Sequence, residues 1–251
     1  MSLTIDSSIK YLRAQNISKL LLVLIISGSC VSGYSQTTSP SNQSFYYPQR
    51  LQSGQIKSIL GLSMSNLPED VIESDDLFYA PLFSYYFKIG IPANFQVEAS
   101  ANSNIVTFQI AAGLKWNYTL EKFSFAPGYD VAFWFGGLRH FGFNSKVRGW
   151  IHYPNLTIGY EFDDFTVSIK GELILITFLR EFQDDLEIAR GRNFYSGFAI
   201  TTVIEQPLWD DNFFLVGLKI NYVRFYYPQW PTFSRFNRFF FIPELMVGFV
   251  L

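Results

Sequence analysis

The ionisable residues of this 251-residue chain fall into three groups by their spacing. The first is Lys57, Lys88, Glu98, Lys115, Asp130, Lys170, Glu172, Lys219 and Glu244, each beside at least one apolar residue. Five are basic and four acidic. Buried ions must be neutralised, so a balanced set predicts paired charges filling an interior. A selectivity ring or proton path would be dominated by one sign. The second group is arginine. Arg139, Arg148, Arg180, Arg190, Arg192, Arg224, Arg235 and Arg238 all stand at or beyond the ends of runs with apolar alternation. Guanidinium groups take phosphate bidentately, which makes Arg139, Arg148, Arg224 and Arg238 candidates for facing an anionic surface. Pairing with acids such as Asp75, Asp76, Asp184 and Asp185 is the alternative. The third group is the histidines, His140 and His152. A hydrolase needs its base within hydrogen-bond reach of a nucleophile, and no spacing here forces that. No glycine-rich phosphate loop and no His/Cys metal cluster occurs, so no catalytic residue, cofactor or metal is assigned.

These groups are positioned by a period of two, the side-chain period of a strand. In the terminal stretch 239–251, Phe239, Phe241, Pro243, Leu245, Val247, Phe249 and Leu251 share one face. The other face carries Phe240, Ile242, Glu244, Met246, Gly248 and Val250. Nine further runs repeat the pattern: 55–64, 77–89, 94–101, 105–118, 123–135, 150–162, 165–179, 194–204 and 213–226. In the fourth, Val106, Phe108, Ile110, Ala112, Leu114, Trp116 and Tyr118 alternate with Thr107, Gln109, Ala111, Gly113, Lys115 and Asn117. No helical segments are left to cover so much apolar surface. The physical solution is a closed antiparallel sheet with its apolar face toward lipid and its mixed face inward. The fold class predicted is all-β: a single up-and-down transmembrane barrel of about ten strands, eight or twelve being the neighbouring solutions. An aromatic content of 19 %, with 27 Phe and 15 Tyr, suits strands and membrane interfaces. No apolar run of about 18 residues occurs outside the amino terminus, which excludes helical spans.

Residues 1–35 have the plan of a secretory signal: basic Lys10, Arg13 and Lys19, an apolar core from Leu20 to Ile26, then small residues. Cleavage after Ser35 is one outcome. Acylation at Cys30, within Ser27-Gly28-Ser29-Cys30, is the other. Loss of 1–35 removes three basic residues and one acidic residue, taking the net charge from −2 to −4. That mild balance does not suit nucleic-acid binding. Residues 36–53, polar and rich in Pro and Ser, are expected as a flexible periplasmic lead-in, with the barrel over 54–251.

The connections alternate in length. Those at Pro92-Ala93, 119–122, 163–164 and 206–212 are tight, whereas 65–76, 138–149, 180–193 and 227–237 are long, with 102–104 the one short connection on that side. Short periplasmic turns and longer outer loops are the usual asymmetry of membrane barrels. Pro81, Pro154 and Pro243 fall within runs and are expected at bulges or kinks.

The terminal strand, aromatic-rich and ending Phe249-Val250-Leu251, resembles the last strand of bacterial outer-membrane β-barrels. The resemblance implies insertion by the outer-membrane barrel assembly machinery and placement in the cell outer membrane of a Gram-negative bacterium. Outer-membrane lipids and lipopolysaccharide are then the expected partners, for a single-copy barrel. Two enzyme families on small barrels invite comparison. Omptin proteases carry spaced Asp pairs and an Asp-His couple at the rim, whereas Asp75-Asp76 and Asp184-Asp185 are adjacent and no Asp-x-His occurs. Lipid A deacylases carry His-x-Ser-Asn, and His140-Phe-Gly-Phe-Asn-Ser departs from it. A structural or interaction role with a filled lumen and displayed loops is therefore expected. A narrow small-solute channel and an outer-rim enzyme are the alternatives.

Overall fold

A computed structural model describes residues 40–68, 78–104, 106–140, 143–184, 186–208, 212–224 and 237–250. Ten antiparallel strands form the wall. They are β1 (Ile56–Leu67), β2 (Phe78–Ile91), β3 (Phe95–Ser103), β4 (Thr107–Trp116), β5 (Phe123–His140), β6 (Phe143–Glu161), β7 (Thr166–Gln183), β8 (Leu186–Pro207), β9 (Phe213–Val223) and β10 (Phe240–Val250). A short piece, Tyr118–Leu120, continues β4 in the same register against β5. Neighbours in sequence pair along the whole order, β10 pairs with β1, and β4 pairs with β5, so the ring closes. Closure leaves no edge strand with unpaired amides.

Alternation decides which side each residue faces. Along β4, Phe108, Ile110, Leu114 and Trp116 are exposed while Thr107 and Lys115 are buried. Along β10, Phe241 and Phe249 are exposed while Ile242, Glu244 and Met246 are buried. The most exposed large residues are thus apolar and the buried ones include charges, the reverse of a water-soluble sheet.

Four strands depart from expectation. The loops expected at 138–149 and 180–193 are instead paired hairpins, β5–β6 out to His140↔Phe143 and β7–β8 out to Gln183↔Leu186. The cause is that backbone pairing continues where the apolar face stops, since only the outward side chains change character. At 18, 19, 18 and 22 residues, β5 to β8 far exceed β1, with 12, and β3, with 9. A membrane crossing needs only about 9–11 residues of tilted strand, so one side of the wall rises well past the apolar belt.

Two of the three prolines also differ from expectation. Pro81 pairs with Met64, and the β2–β3 ladder begins only at Phe83; Pro243 pairs with Ile220, and the β1–β10 ladder ends at Glu244. Both therefore sit where one side of the strand has no ladder to donate to, and need no bulge. Pro154 falls in a gap in the β6–β7 pairing, between His152↔Leu175 and Asn155↔Glu172, near the register shift at Trp150/Ile151.

Inside, the lumen is layered. At the turn end, Phe45, Ile59, Val203, Phe213, Leu215, Met246 and Val250 form one apolar cluster. Toward the opposite end, Trp134, Ile151, Ile174, Ile176, Leu179 and Phe240 belong to a second. Most of the lumenal charges lie between them, with Lys57, Lys88 and Glu205 at the turn-end cluster. Residues 44–51 belong to the stretch expected as a flexible lead-in, yet here they pack against the inner wall, with Phe45, Tyr47 and Leu51 at most 5 % exposed. Average composition made the stretch look like a tail, but burial is decided by its aromatic triplet, Phe45-Tyr46-Tyr47.

Candidate functional site: the lumen and the outer rim

The amino-terminal segment is latched by one carboxylate. Glu205, fully buried on β8, accepts hydrogen bonds from the amides of Phe45 (2.6 Å), Tyr46 (3.0 and 2.9 Å) and Tyr47 (3.0 Å). Two lysines hold the adjoining carbonyls: Lys88 Nζ donates to Phe45 O at 2.6 Å and Lys57 Nζ to Ser44 O at 3.0 Å. Gly159 makes the fit possible, because a Cβ there would stand 2.6 Å from the Tyr47 ring and from Pro48. Glu205 is absent from the charges singled out in the sequence. Its parity with Ala199, Thr201 and Val203 would have marked it as inward, but the apolar run reads as ending one residue earlier, at Ile204.

Above the plug the lumenal charges meet. Lys115 lies 2.5 Å from Glu98, on the neighbouring strand. Lys170 bridges Asp130 (3.4 Å) and Glu172 (2.8 Å), and Glu172 also takes Lys219 at 2.7 Å. Asn155 donates to Asp130 at 2.9 Å. Glu244 accepts from Ser63 at 2.5 Å and from Asn221 at 3.4 Å. Asp130 faces Gly113 across the β4–β5 pair, and a Cβ at 113 would collide with its carboxylate, so glycine gives that charge its room. Lys57 lies apart from this network, down at the plug. A cavity of about 130 Å³ remains among Glu98, Lys115, Asp130, Lys170, Glu172 and Lys219. Such an arrangement binds charges to one another across five strands. Chemically, it is a set of ion pairs rather than a free acid or base, with Asp130 Oδ1 buried and lacking a hydrogen-bond partner among the described residues.

At the opposite end, Arg148 is exposed on the outer face of β6, with its guanidinium 4.9 Å from the Phe182 ring. Arg224 follows β9, donates to Tyr195 O at 3.1 Å and to Asn237, and lies over Phe239. Arg238 lies over Phe240. The anion-facing candidates are therefore split between β6 and the β9–β10 end rather than gathered; the side chain of Arg139 lies outside the described residues, and Arg235 does too. The side chain of His140 is likewise outside them. His152 is on the outer face, where Nδ1 is 3.0 Å from the Tyr129 hydroxyl. Pairing satisfies both polar groups on an apolar surface, and no nucleophile is part of the contact. At the turn end, Lys122 and Asp163 tie two turns together at 2.7 Å. That hydrogen bond holds the Asp163 carboxyl below its ordinary range.

No protein-family model and no curated protein sequence matches the chain. Among solved structures it is similar to the translocator domain of the autotransporter NalP from Neisseria meningitidis, at 11 % identity and TM-score 0.41, over 100 % of this chain and 99 % of that one. It is also similar to Neisserial surface protein A, at 13 % identity and TM-score 0.34, over 78 % and 94 %. A third similarity is to outer membrane phospholipase A from Escherichia coli, at 12 % identity and TM-score 0.35, over 82 % and 97 %. The architecture rests on the pairings themselves rather than on these values. With ten antiparallel strands in a closed ring, apolar outside and charged within, the chain has the architecture of the bacterial outer-membrane β-barrels.

Proposed function

We propose that the protein is an integral outer-membrane barrel with a closed lumen, acting through its surface in a structural or interaction role. One observation carries this reading: apolar side chains point outward on every strand while plug, ion pairs and an apolar core occupy the interior. A channel would need a bore through layers now filled by Phe45 and Trp134. A rim enzyme would need a nucleophile beside a base, and His152 has Tyr129 as its partner.

The leader at 1–35 would export the chain and the assembly machinery would insert it, as a single copy. The tight turns bearing Glu121, Asp163 and Asp164 would face the periplasm. The tall side formed by β5–β8 would face outward among lipopolysaccharide, whose phosphates attract guanidinium and repel carboxylate. Single-channel recording of refolded protein in a planar bilayer tests the closed lumen. The expected trace is flat. Stepwise currents that recur with each insertion would transfer the protein to the channel class.

A further inference from the structure

The strand register does something with the arginines that their order in the chain conceals. Arg148 on β6 stands directly opposite Arg180 on β7, and Arg180 directly opposite Arg190 on β8. Arg148 and Lys146 are exposed on the same outward face of β6. Arg192, facing Phe178, is exposed on that same side of β8. Five cations thus form one band across three strands. Directly opposed residues have Cβ atoms about 4.5–5.5 Å apart, and like charges there destabilise a sheet. Natural cross-strand pairing would alternate signs; this wall repeats the same one.

The compensation among the described residues is small. Glu187 pairs with Arg190 and lies 4.0 Å from Arg180. Glu181 alternates to the other side, where Ser145 donates to it at 3.3 Å, and Asp184 belongs to the hairpin tip. Arg180 Nε is buried without a hydrogen-bond partner among the described residues.

Height supplies the second line. At the lower edge of the band, level with Arg192, Trp150 faces Phe178, and below them the outward residues include His152, Leu156 and Ile158 on β6 and Leu173 and Ile169 on β7. From Tyr160 up to Trp150 the apolar belt is as long as one crossing, about 9–11 residues. The cations therefore stand at the level where lipid phosphates meet the hydrocarbon. Arg148 and Arg180 lie against the Phe182 and Phe178 rings, at 4.9 and 5.4 Å, which keeps both arms along the wall.

We infer that this band docks the phosphorylated headgroup of an outer-leaflet glycolipid of the lipid A type, with its acyl chains along the apolar face of β6–β8. The inference rests on the outer-membrane reading above and adds a site to it. Two phosphates on one headgroup suit a row of three arginines better than one, and the belt beneath accounts for the chains.

The test uses the full mature chain refolded into phosphatidylcholine nanodiscs. Binding of bisphosphorylated lipid A, lipid A stripped of both phosphates, and inorganic phosphate is followed by native mass spectrometry and Trp fluorescence. Intact lipid A should bind at least about tenfold tighter than the stripped form, because charge-assisted hydrogen bonds are the stronger ones. The R148Q/R180Q/R190Q variant should lose that margin, and R180Q alone should lose part of it if the triple variant folds poorly. Arg50→Gln, at the turn end, should keep it. Equal binding of the stripped lipid, or an unchanged margin in the variants, would overturn the site. Full displacement by inorganic phosphate would make it a free-anion site and overturn the lipid assignment. Failure of the wild-type chain to enter bilayers at all would strike the membrane reading instead.

Discussion

The Glu205 carboxylate spans the amide of Tyr46 with both oxygens, at 3.0 and 2.9 Å, and its flanks receive the amides of Phe45 and Tyr47. Three consecutive donors thereby find acceptors inside a barrel wall whose own backbone groups are already paired. Each buried donor left unpaired costs about 1–3 kcal/mol. Glu205→Ala should therefore release residues 44–51 from the lumen. Hydrogen exchange at amides 45–47 should change from protected to fast, while amides in β8 stay protected. Unchanged protection at 45–47 would mean that aromatic packing alone holds the segment.

Glu172 is the hinge of the lumenal network, since it pairs with Lys219 and shares Lys170 with Asp130. Removing one member of a buried pair costs about 3–5 kcal/mol, because the remaining charge stays buried. Glu172→Gln should destabilise the barrel by that order in urea unfolding from lipid vesicles. The double change Glu172→Gln with Lys219→Met should recover part of the loss. A single variant as stable as wild type would show that water, not Glu172, satisfies the lysines.

Leu173 lies near the middle of the outward belt of β7, between Val167 and Phe178, and is 47 % exposed. If that face meets hydrocarbon, Leu173→Arg should cost about 2–4 kcal/mol in the same unfolding measurement, with less at positions nearer the interfaces. A cost near zero at Leu173 would place the face in water.

Trp134 is fully buried in the upper lumen. Trp134→Ala should cost about 3–5 kcal/mol by opening a cavity. In planar bilayers it should still conduct nothing, because the Phe45–Tyr47 plug closes the other end. Combining it with Glu205→Ala should produce current. A silent double variant would locate the seal elsewhere in the lumen.

Orientation is testable on intact cells. Cysteine placed at Asn144, beside the tip of the β5–β6 hairpin, should react with an impermeant reagent, and cysteine at Asp163 in the opposite turn should not. The reverse pattern would invert the barrel and set the arginine band in the wrong leaflet.

Sequence alone determined the closed barrel and the side on which the residues of its apolar runs lie. The reason is that alternation is local: Phe108 and Thr107 differ in environment because successive Cβ atoms point to opposite faces, whatever strand lies beside them. Two things needed the tertiary structure. The amino-terminal plug depends on Glu205 meeting amides 158–160 positions earlier in the chain, a contact that no local pattern encodes. The arginine band depends on register. In sequence, Arg148, Arg180 and Arg190 read as loop residues because the apolar rhythm lapses before them, yet backbone pairing does not require apolar side chains. Only the alignment of β6, β7 and β8 decided that these three cations stand in one row, since a shift of one residue would have turned each to the other face.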